Sequence, residues 1–302
     1  MRLAAALAAL ALAGCAMVGP DARRPDDPLP ASHVEPAPSG PIAVPPAWWT
    51  LYGDPTLDSL VREGLERNAD VAIATARVEQ AEAALREANA TLLFPLVTGD
   101  AGATRSRNAN NGTATDVGLG VATSFEVDLW GRLRRAERAV RAELLASRYA
   151  RDTVGLTLAG AIARTYFAVR SLDSQYAASQ EILRAADESV GLARKRADAG
   201  VASALDVYQA GSLRTAASAQ AKEIARQRAV ALHQLGALVG RPALQLPAAE
   251  VVTLAVPPVP PAGLPSELLV RRPDVREAEA RLAAATERIG VARAAFEFME
   301  KM

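Results

Sequence analysis

The feature that most constrains this chain is a stretch of 68 residues, 132–199, that contains no proline. Alanine, leucine, arginine and glutamate dominate it, and these residues are strong helix formers. Apolar residues recur three and four positions apart along two neighbouring stripes, which predicts one helix with packing partners on two sides. Such a helix would be roughly 100 Å long. That length is typical of a bundle or a tube rather than of a globular domain.

The charge and cysteine content narrow the classes of function. The 34 basic and 34 acidic residues balance, so no strong field favours nucleic acid or an acidic substrate. Cys15 is the only cysteine and the chain has two histidines, which is too few for an internal disulfide or a cysteine-based metal cluster. The sequence also lacks a phosphate-binding glycine loop. We therefore expect no enzyme activity, no cofactor and no metal site.

The N-terminus has the pattern of an export signal. One basic residue, Arg2, precedes an apolar run that ends at Gly14 and Cys15. The run is shorter than the roughly 20 residues of a membrane-spanning helix, so we expect residues 1–14 to be cleaved. Residues 12–15 resemble a lipobox, which predicts acylation of Cys15; an ordinary signal peptide that ends near a cysteine is the alternative. The proline-rich residues 15–47 are then an extended tether.

Between residues 96 and 129 the periodicity changes from that of a helix to that of a strand. Apolar side chains alternate with small or polar ones, and we assign them to a membrane-facing strand: Val117, Leu119, Val121, Phe125 and Val127. About eleven residues alternate, which is the length of a tilted strand that crosses an outer membrane. A half-buried soluble strand is the alternative, although such strands are usually shorter. The turn at residues 110–112 would join it to a partner strand at about 96–107.

The second half of the chain predicts a helix hairpin followed by a repeat. The long helix ends at Gly200, Ser203 is a candidate N-cap, and a second helix returns to residue 239. Upstream, Asp54 and Pro55 predict a helix start, with Asp54 as the cap. The helix over about 56–94 should break near residues 68–70, with Asp70 as cap. Residues 48–68 and 241–271 would form an irregular belt. Residues 70–88 match residues 274–292 at an offset of 204, which indicates a duplication. We therefore divide the folded chain into a first repeat at 48–242, with the hairpin at about 132–239, and a linker with the start of a second repeat at 243–302.

Several short motifs together resemble one family. They are the lipobox, Val18-Gly19-Pro20-Asp21, Trp48-Trp49, Glu126-Val127-Asp128-Leu129-Trp130-Gly131-Arg132 and Arg271-Arg272-Pro273-Asp274. The chain resembles the TolC/OprM-like outer-membrane factors, in particular their lipoprotein branch, the NodT type. The resemblance implies a mainly helical fold with a membrane β-hairpin, in which long coiled-coil-like helices form a periplasmic tube below a shared trimeric β-barrel. It also implies a lipid-anchored homotrimer in the outer membrane that serves as the exit duct of a tripartite efflux pump.

The same resemblance implies partners and a contact site. The partners would be outer-membrane lipid, a periplasmic membrane-fusion adaptor and an inner-membrane transporter of the resistance-nodulation-division (RND) type, with no nucleic acid. By position, the adaptor would contact the hairpin tip at Arg196, Gly200, Val201, Asp206 and Val207. Asp206 would help to close the entrance by pairing with the other repeat's hairpin. A first-turn residue that complements the helix dipole is an equal alternative for Asp206.

Beyond Phe296 the sequence departs from the family pattern. We expect a truncated second repeat, an intact chain about 150 residues longer, and no drug efflux from the 302-residue product alone. Two other functions compete with the duct. One is a periplasmic lipoprotein that is only a coiled-coil scaffold or adaptor, and the other is a non-functional fragment.

Overall fold

The computed structural model describes residues 17–24, 45–108, 112–247 and 269–300. Within these ranges, a short 3-10 helix at Trp48–Tyr52 precedes five α-helices and two strands. These are α1 (Pro55–Arg67), α2 (Ala69–Leu93), β1 (Leu96–Asn108), β2 (Gly112–Ser124), α3 (Arg132–Asp198), α4 (Ala204–Val239) and α5 (Pro273–Glu300). The chain divides into two compact units. Cys15 and the turn residues Asn110 and Asn111 lie outside the described residues, as does most of the predicted second half of the belt.

The first unit contains most of α2, both strands, the start of α3 and α5. The second contains the 3-10 helix, α1, the rest of α3 and α4. The predicted long helix is confirmed, since α3 runs without a break for 67 residues. α5 begins 204 residues after α2 begins, which is the offset of the sequence repeat.

The core of the second unit is an apolar cluster in which α1 packs with α3 and α4. Leu57, Val61, Ile162, Leu235 and Val239 are almost completely buried there. α1 approaches α3 closely at Gly64, where a Cβ atom would lie 2.4 Å from Cδ1 of Ile162. The segment that we expected to be an irregular belt is therefore mostly helical between residues 48 and 67, and its helices supply part of the core.

The two ends of α1 differ in how well the local sequence predicts the capping residue. Asp54 caps α1 as predicted, because its Oδ1 accepts the N–H groups of Thr56 at 2.8 Å and Leu57 at 3.1 Å. The predicted cap at Asp70 is wrong. Asn68 adopts an extended backbone and its Oδ1 accepts the N–H of Asp70 at 2.8 Å. Its Nδ2 donates to the carbonyl of Leu238 at 2.9 Å, so a tertiary contact selects Asn68 as the cap.

A polar network lies beside this core. The hydroxyl of Tyr166 donates to Asp54 at 2.5 Å and accepts from Nε of Arg170 at 3.1 Å. Arg170 also pairs with Asp173 at 3.3 Å, and Arg228 of α4 pairs with the other oxygen of Asp173. Since the Asp173 side chain has no exposed surface, the network holds a buried carboxylate between two arginines.

In the first unit, β1 and β2 form an antiparallel hairpin that pairs Leu96 with Ser124 and Ala103 with Val117. The predicted membrane-facing residues Val117, Leu119 and Val121 lie on one face of β2. Phe125 and Val127 do not belong to the strand, because β2 ends at Ser124. β1 begins only after Pro95, so within the described residues no backbone lies opposite positions 125–129 to continue the ladder.

The residues after Ser124 instead prepare the start of α3. Oδ2 of Asp128 accepts the backbone N–H of Arg134 at 2.9 Å, and Glu126 forms a two-point ion pair with Arg132. Partial burial acts to raise the pKa of Asp128, but hydrogen bonds from the backbone N–H groups of Arg134 and Leu133 outweigh it and the pKa is lowered. The alternating sequence thus serves two structures in turn, a strand and then a helix cap.

Candidate functional site

The tip of the α3–α4 hairpin is a turn closed by its own backbone. Gly200 has a φ of +76°, a conformation that glycine adopts without strain. The N–H of Gly200 donates to the carbonyl of Ala197 at 2.9 Å, and the N–H of Val201 donates to that of Arg196 at 2.9 Å. These two bonds form a Schellman motif. The predicted end of the long helix at Gly200 is therefore confirmed.

The other side of the turn is closed by a capping box. The hydroxyl of Ser203 accepts the N–H of Asp206 at 3.2 Å, and Oδ2 of Asp206 accepts the N–H of Ser203 at 2.7 Å. The predicted cap at Ser203 is confirmed. The hydrogen bonds from Ser203 lower the pKa of Asp206, and the positive charge of Arg196 lowers it further. Of the two roles expected for Asp206, the local one is present here, and pairing with a second hairpin stays a prediction.

The five predicted tip residues come together at this turn. Arg196, Gly200, Val201 and Asp206 are exposed, and Val207 is partly buried. A shallow groove of about 660 Å³ runs between α3 and α4 next to the turn. It is lined by Val190, Arg194, Val207, Tyr208, Gly211 and Thr215, among others. The tip therefore presents a preformed turn with exposed apolar side chains, Val201, Leu205 and Tyr208, close to a groove.

The strand hairpin is the second candidate surface. Val117, Leu119 and Val121 are 75, 85 and 82% exposed. Their cross-strand partners are Ala103, Ala101 and Gly99, so the whole face consists of small or apolar residues over these positions. The opposite face carries Asp100 and Asp116. Such a division into one apolar and one polar face matches a barrel strand with lipid on one side and water on the other.

Sequence reasoning missed the buried charges. Arg135 has only 2% of its side chain exposed, and Nη1 donates to Glu287 of α5 at 2.9 Å. The sequence places it among Arg132 and Arg134, with no local sign that it differs from them. For Asp173 a signal exists, because it stands four residues after Val169 and three before Tyr176, which is the spacing of one apolar stripe of α3. An acidic residue on such a stripe predicts a buried partner.

No described helix combines the length and the apolarity that a membrane-spanning helix requires. Among the described residues, no group of three His, Cys, Asp or Glu side chains is placed to hold a metal ion.

Comparison with known proteins identifies the family. The family model described as outer membrane efflux protein matches residues 60–241, which is more than half of the chain. The chain therefore belongs to the outer membrane efflux protein family. This result confirms the resemblance inferred from the motifs.

Two curated relatives and one solved structure show the extent of the similarity. The pyoverdine export outer membrane protein OpmQ of Pseudomonas aeruginosa is 38% identical over 261 residues, which cover 82% of this chain and 55% of OpmQ. The toluene efflux pump outer membrane protein TtgC of Pseudomonas putida is 32% identical over an alignment of 316 residues, which covers 97% of this chain. The structure of the outer-membrane channel OprN superposes with a TM-score of 0.79 at 31% identity.

The structural match confirms the predicted fold class. It covers 92% of this chain and 64% of the OprN chain. The curated relatives are covered to 55% and 63% of their lengths. This chain thus spans between half and two thirds of the length of the relatives that it matches.

Proposed function

We propose that this chain is part of an outer-membrane exit duct, a passive channel for small solutes in a tripartite efflux pump. One observation carries the proposal: an apolar strand face, 75–85% exposed at Val117, Leu119 and Val121, leads within a few residues into a helix of 67 residues. Exposed apolar faces of this kind are stable in lipid and unfavourable in water. The strands would span the outer membrane, and α3 would extend from them into the periplasm.

The exposed apolar residues of the long helices support assembly with further copies. Ile182, Leu192, Leu205 and Leu213 are all more than half exposed on α3 and α4. A coiled-coil-like helix normally buries such positions against neighbours. Two strands also cannot form a closed barrel, and open sheet edges are not tolerated in lipid. A homotrimer that shares one helical tube would bury these helix positions between subunits. Its three described hairpins give six strands, and the smallest outer-membrane barrels have eight. One shared barrel would therefore also need the strand pair expected of a complete second repeat.

The hairpin tip is the proposed contact with a periplasmic adaptor. Its support is a turn that is closed by hydrogen bonds and needs no partner to fold, together with exposed Val201 and Tyr208 next to the interhelical groove. An inner-membrane transporter of the RND type would complete the pump. The names of two relatives mention pyoverdine and toluene, which supports small solutes as the cargo.

The N-terminus would add a lipid anchor. The lipobox predicts acylation of Cys15, and the chain would then hold to the outer membrane by acyl chains as well as by strands. If membrane-spanning strands hold the protein, it should stay in the outer membrane after the acyl chains are removed. If only the acyl chains hold it, their removal should release it.

The test uses that difference. Cys15→Ser is introduced into the chromosomal gene, and cell envelopes are washed with alkaline carbonate. We expect the unacylated protein to remain in the outer-membrane fraction, because its strands hold it there. Release of the variant into the soluble periplasm would contradict the duct and favour a scaffold or adaptor held by its lipid alone.

A further inference from the structure

An apolar groove of about 700 Å³ lies in the first unit, at the point where the strand ends and α3 begins. Phe125, Val127, Leu129 and Trp130 form one wall, and Phe298 and Met299 of α5 form the other. The rings of Trp130 and Phe298 meet edge to face, with centroids 5.7 Å apart. The groove has the volume of an ordinary ligand pocket, for which about 300–1,000 Å³ is usual.

The charged residues at the groove do not make it a polar site. Glu126 is paired with Arg132, and Asp128 is paired with Arg134 at 3.2 Å. These pairs hold both carboxylates toward the start of α3. Phe125, Val127, Leu129, Phe298 and Met299 are all exposed large apolar side chains. A ligand that fits this lining is therefore a hydrocarbon chain, not a charged solute.

The N-terminal residues 17–24, which we call the strap, are fixed beside this groove. The N–H of Val18 donates to the carbonyl of Trp130 at 3.2 Å. Met17 packs on Gly131, where a Cβ atom would lie 2.6 Å from Cγ of Met17. The strap thus begins at the residues that form one wall of the groove.

Arg135 holds the strap in this place. Its buried guanidinium donates to the carbonyls of Pro20 at 3.0 Å and Gly19 at 3.1 Å, and to Asp21 at 3.3 Å. Gly19 has a φ of +118°, and a Cβ atom there would lie 2.5 Å from Cα of Gly290 in α5. The strap therefore has one register on the protein, and a shift of one residue would lose these contacts.

The position of the strap limits how far Cys15 can lie from the groove. Cys15 stands two residues before Met17 in the sequence, and two residues of chain extend at most about 7 Å. We propose that the groove binds an acyl chain carried by Cys15, so that the lipid anchor is held against the protein at the membrane-proximal end of α3. This inference rests on the acylation of Cys15, which belongs to the proposed function.

The proposal gives the strap and the groove one joint role. Arg135 and Gly19 set the register of the strap, the strap limits how far Cys15 can lie from Met17, and the groove would cover the hydrocarbon. The acyl chain would shield Phe125 and Val127 from water just below the end of β2. The anchor would then be a structural part of the collar at the base of the barrel instead of a free tether.

The test is photocrosslinking from the acyl chain. Cells that produce the chain are grown on a fatty acid with a terminal diazirine, and isolated membranes are irradiated. Mass spectrometry of the digested protein then measures two quantities. The first is the mass of the N-terminal peptide, which reports whether Cys15 is acylated. The second is the amount of that peptide joined through its acyl chain to peptides that contain residues 125–130 or 294–299.

We expect an acylated N-terminal peptide that is joined mainly to these two regions. Val127→Asp should reduce the joined product several-fold, because the carboxylate makes the groove polar. Ile289→Asp is the matched control on α5, exposed and apolar in the wild type but outside the groove, and it should leave the yield unchanged. Gly19→Val should also reduce the yield, since it displaces the strap while the groove stays intact.

The outcomes separate the two proposals. An N-terminal peptide without acyl mass would overturn the lipid anchor and the groove proposal with it. An acylated peptide joined only to free lipid or to other regions would overturn the groove proposal alone. Attachment of phospholipid, and not of the Cys15 acyl chain, to residues 125–130 would also overturn the groove proposal, because bilayer lipid would then occupy the groove.

Discussion

Two interhelical ion pairs in the second unit provide an internal comparison of buried and exposed charges. Asp173 of α3 pairs with Arg228 of α4, and Asp187 of α3 pairs with Arg214 of α4. The second pair lies fourteen residues farther along α3 and fourteen residues earlier along α4. The two pairs are therefore equivalent by heptad position, two heptads apart. They differ in environment, since the Asp173 side chain is 0% exposed and that of Asp187 is 48% exposed.

Removal of each carboxylate should have very different costs. Asp173→Ala leaves Arg170 and Arg228 next to each other without their shared counter-ion. Loss of one partner of a buried pair costs about 3–5 kcal/mol. Both arginines keep a backbone acceptor, Pro247 at 3.0 Å and Leu246 at 3.2 Å, so we expect the lower end, about 3 kcal/mol. Asp187→Ala should cost about 1 kcal/mol or less, because the exposed pair is screened by water.

The assay is urea unfolding of the purified chain in mild detergent, followed by far-ultraviolet circular dichroism. Wild type, Asp173→Ala, Asp187→Ala and Asp173→Asn are compared under one set of conditions. The asparagine keeps the size of aspartate and one acceptor oxygen, but it loses the charge and places an NH2 donor where the second arginine needs an acceptor. Its unfolding free energy should therefore lie between those of wild type and Asp173→Ala. Equal losses from Asp173→Ala and Asp187→Ala would refute the argument, because burial would then not determine the cost of losing the pair.

Three further predictions follow from the strand face and the tip. Val121→Arg should destabilise the membrane-inserted protein by about 2–4 kcal/mol if the residue lies near the membrane midplane, while Ala122→Arg on the other face should destabilise it much less. The yield of assembled outer-membrane protein measures both effects, and equal losses would contradict the assignment of the two faces. Gly200→Val, made in the chromosomal gene, forces a side chain into a φ of +76°, so crosslinking to the adaptor should be lost while assembly persists. The pKa of Asp206 is lower in the folded protein than in the unfolded chain. The stabilisation by the capping box is therefore fully present above the unfolded-state pKa of about 3.9, and it is lost only as the pH falls through the lower folded-state pKa. Hydrogen exchange at the tip, corrected for intrinsic rates, should therefore show the same protection at neutral pH and at about pH 5, and loss of protection at that pH would contradict the capping role.

The sequence was sufficient where the deciding interactions are local. The extent of α3, the caps at Asp54 and Ser203 and the turn at Gly200 all depend on residues within one or two helical turns of each other. The five tip residues come together at the turn for the same reason, and their contact with an adaptor stays a prediction. Periodicity and capping chemistry are properties of short segments, and a single sequence displays them directly.

Errors arose where a distant part of the chain decided the outcome. Asn68 and Asp70 are both good caps, and the contact of Asn68 with Leu238 selects between them. The alternating pattern continues past Ser124, but the strand ends there because β1 begins after Pro95. Arg135 is buried only because the strap and α5 meet above it. Partners more than a hundred residues away leave no mark on the local sequence.

The closed turn at Gly200 has a consequence for how the second unit folds. Both of its halves are hydrogen-bonded through residues 195–206 alone, so it can form before any distant contact. The Asp187–Arg214 pair then closes a segment of 27 residues, and the Asp173–Arg228 pair closes one of 55. Once the turn has formed, each ion pair closes only a short additional loop, so its entropic cost is small. We therefore expect the hairpin to zip from its tip toward the apolar core, with substitutions at Gly200 slowing folding and substitutions at Leu235 chiefly accelerating unfolding.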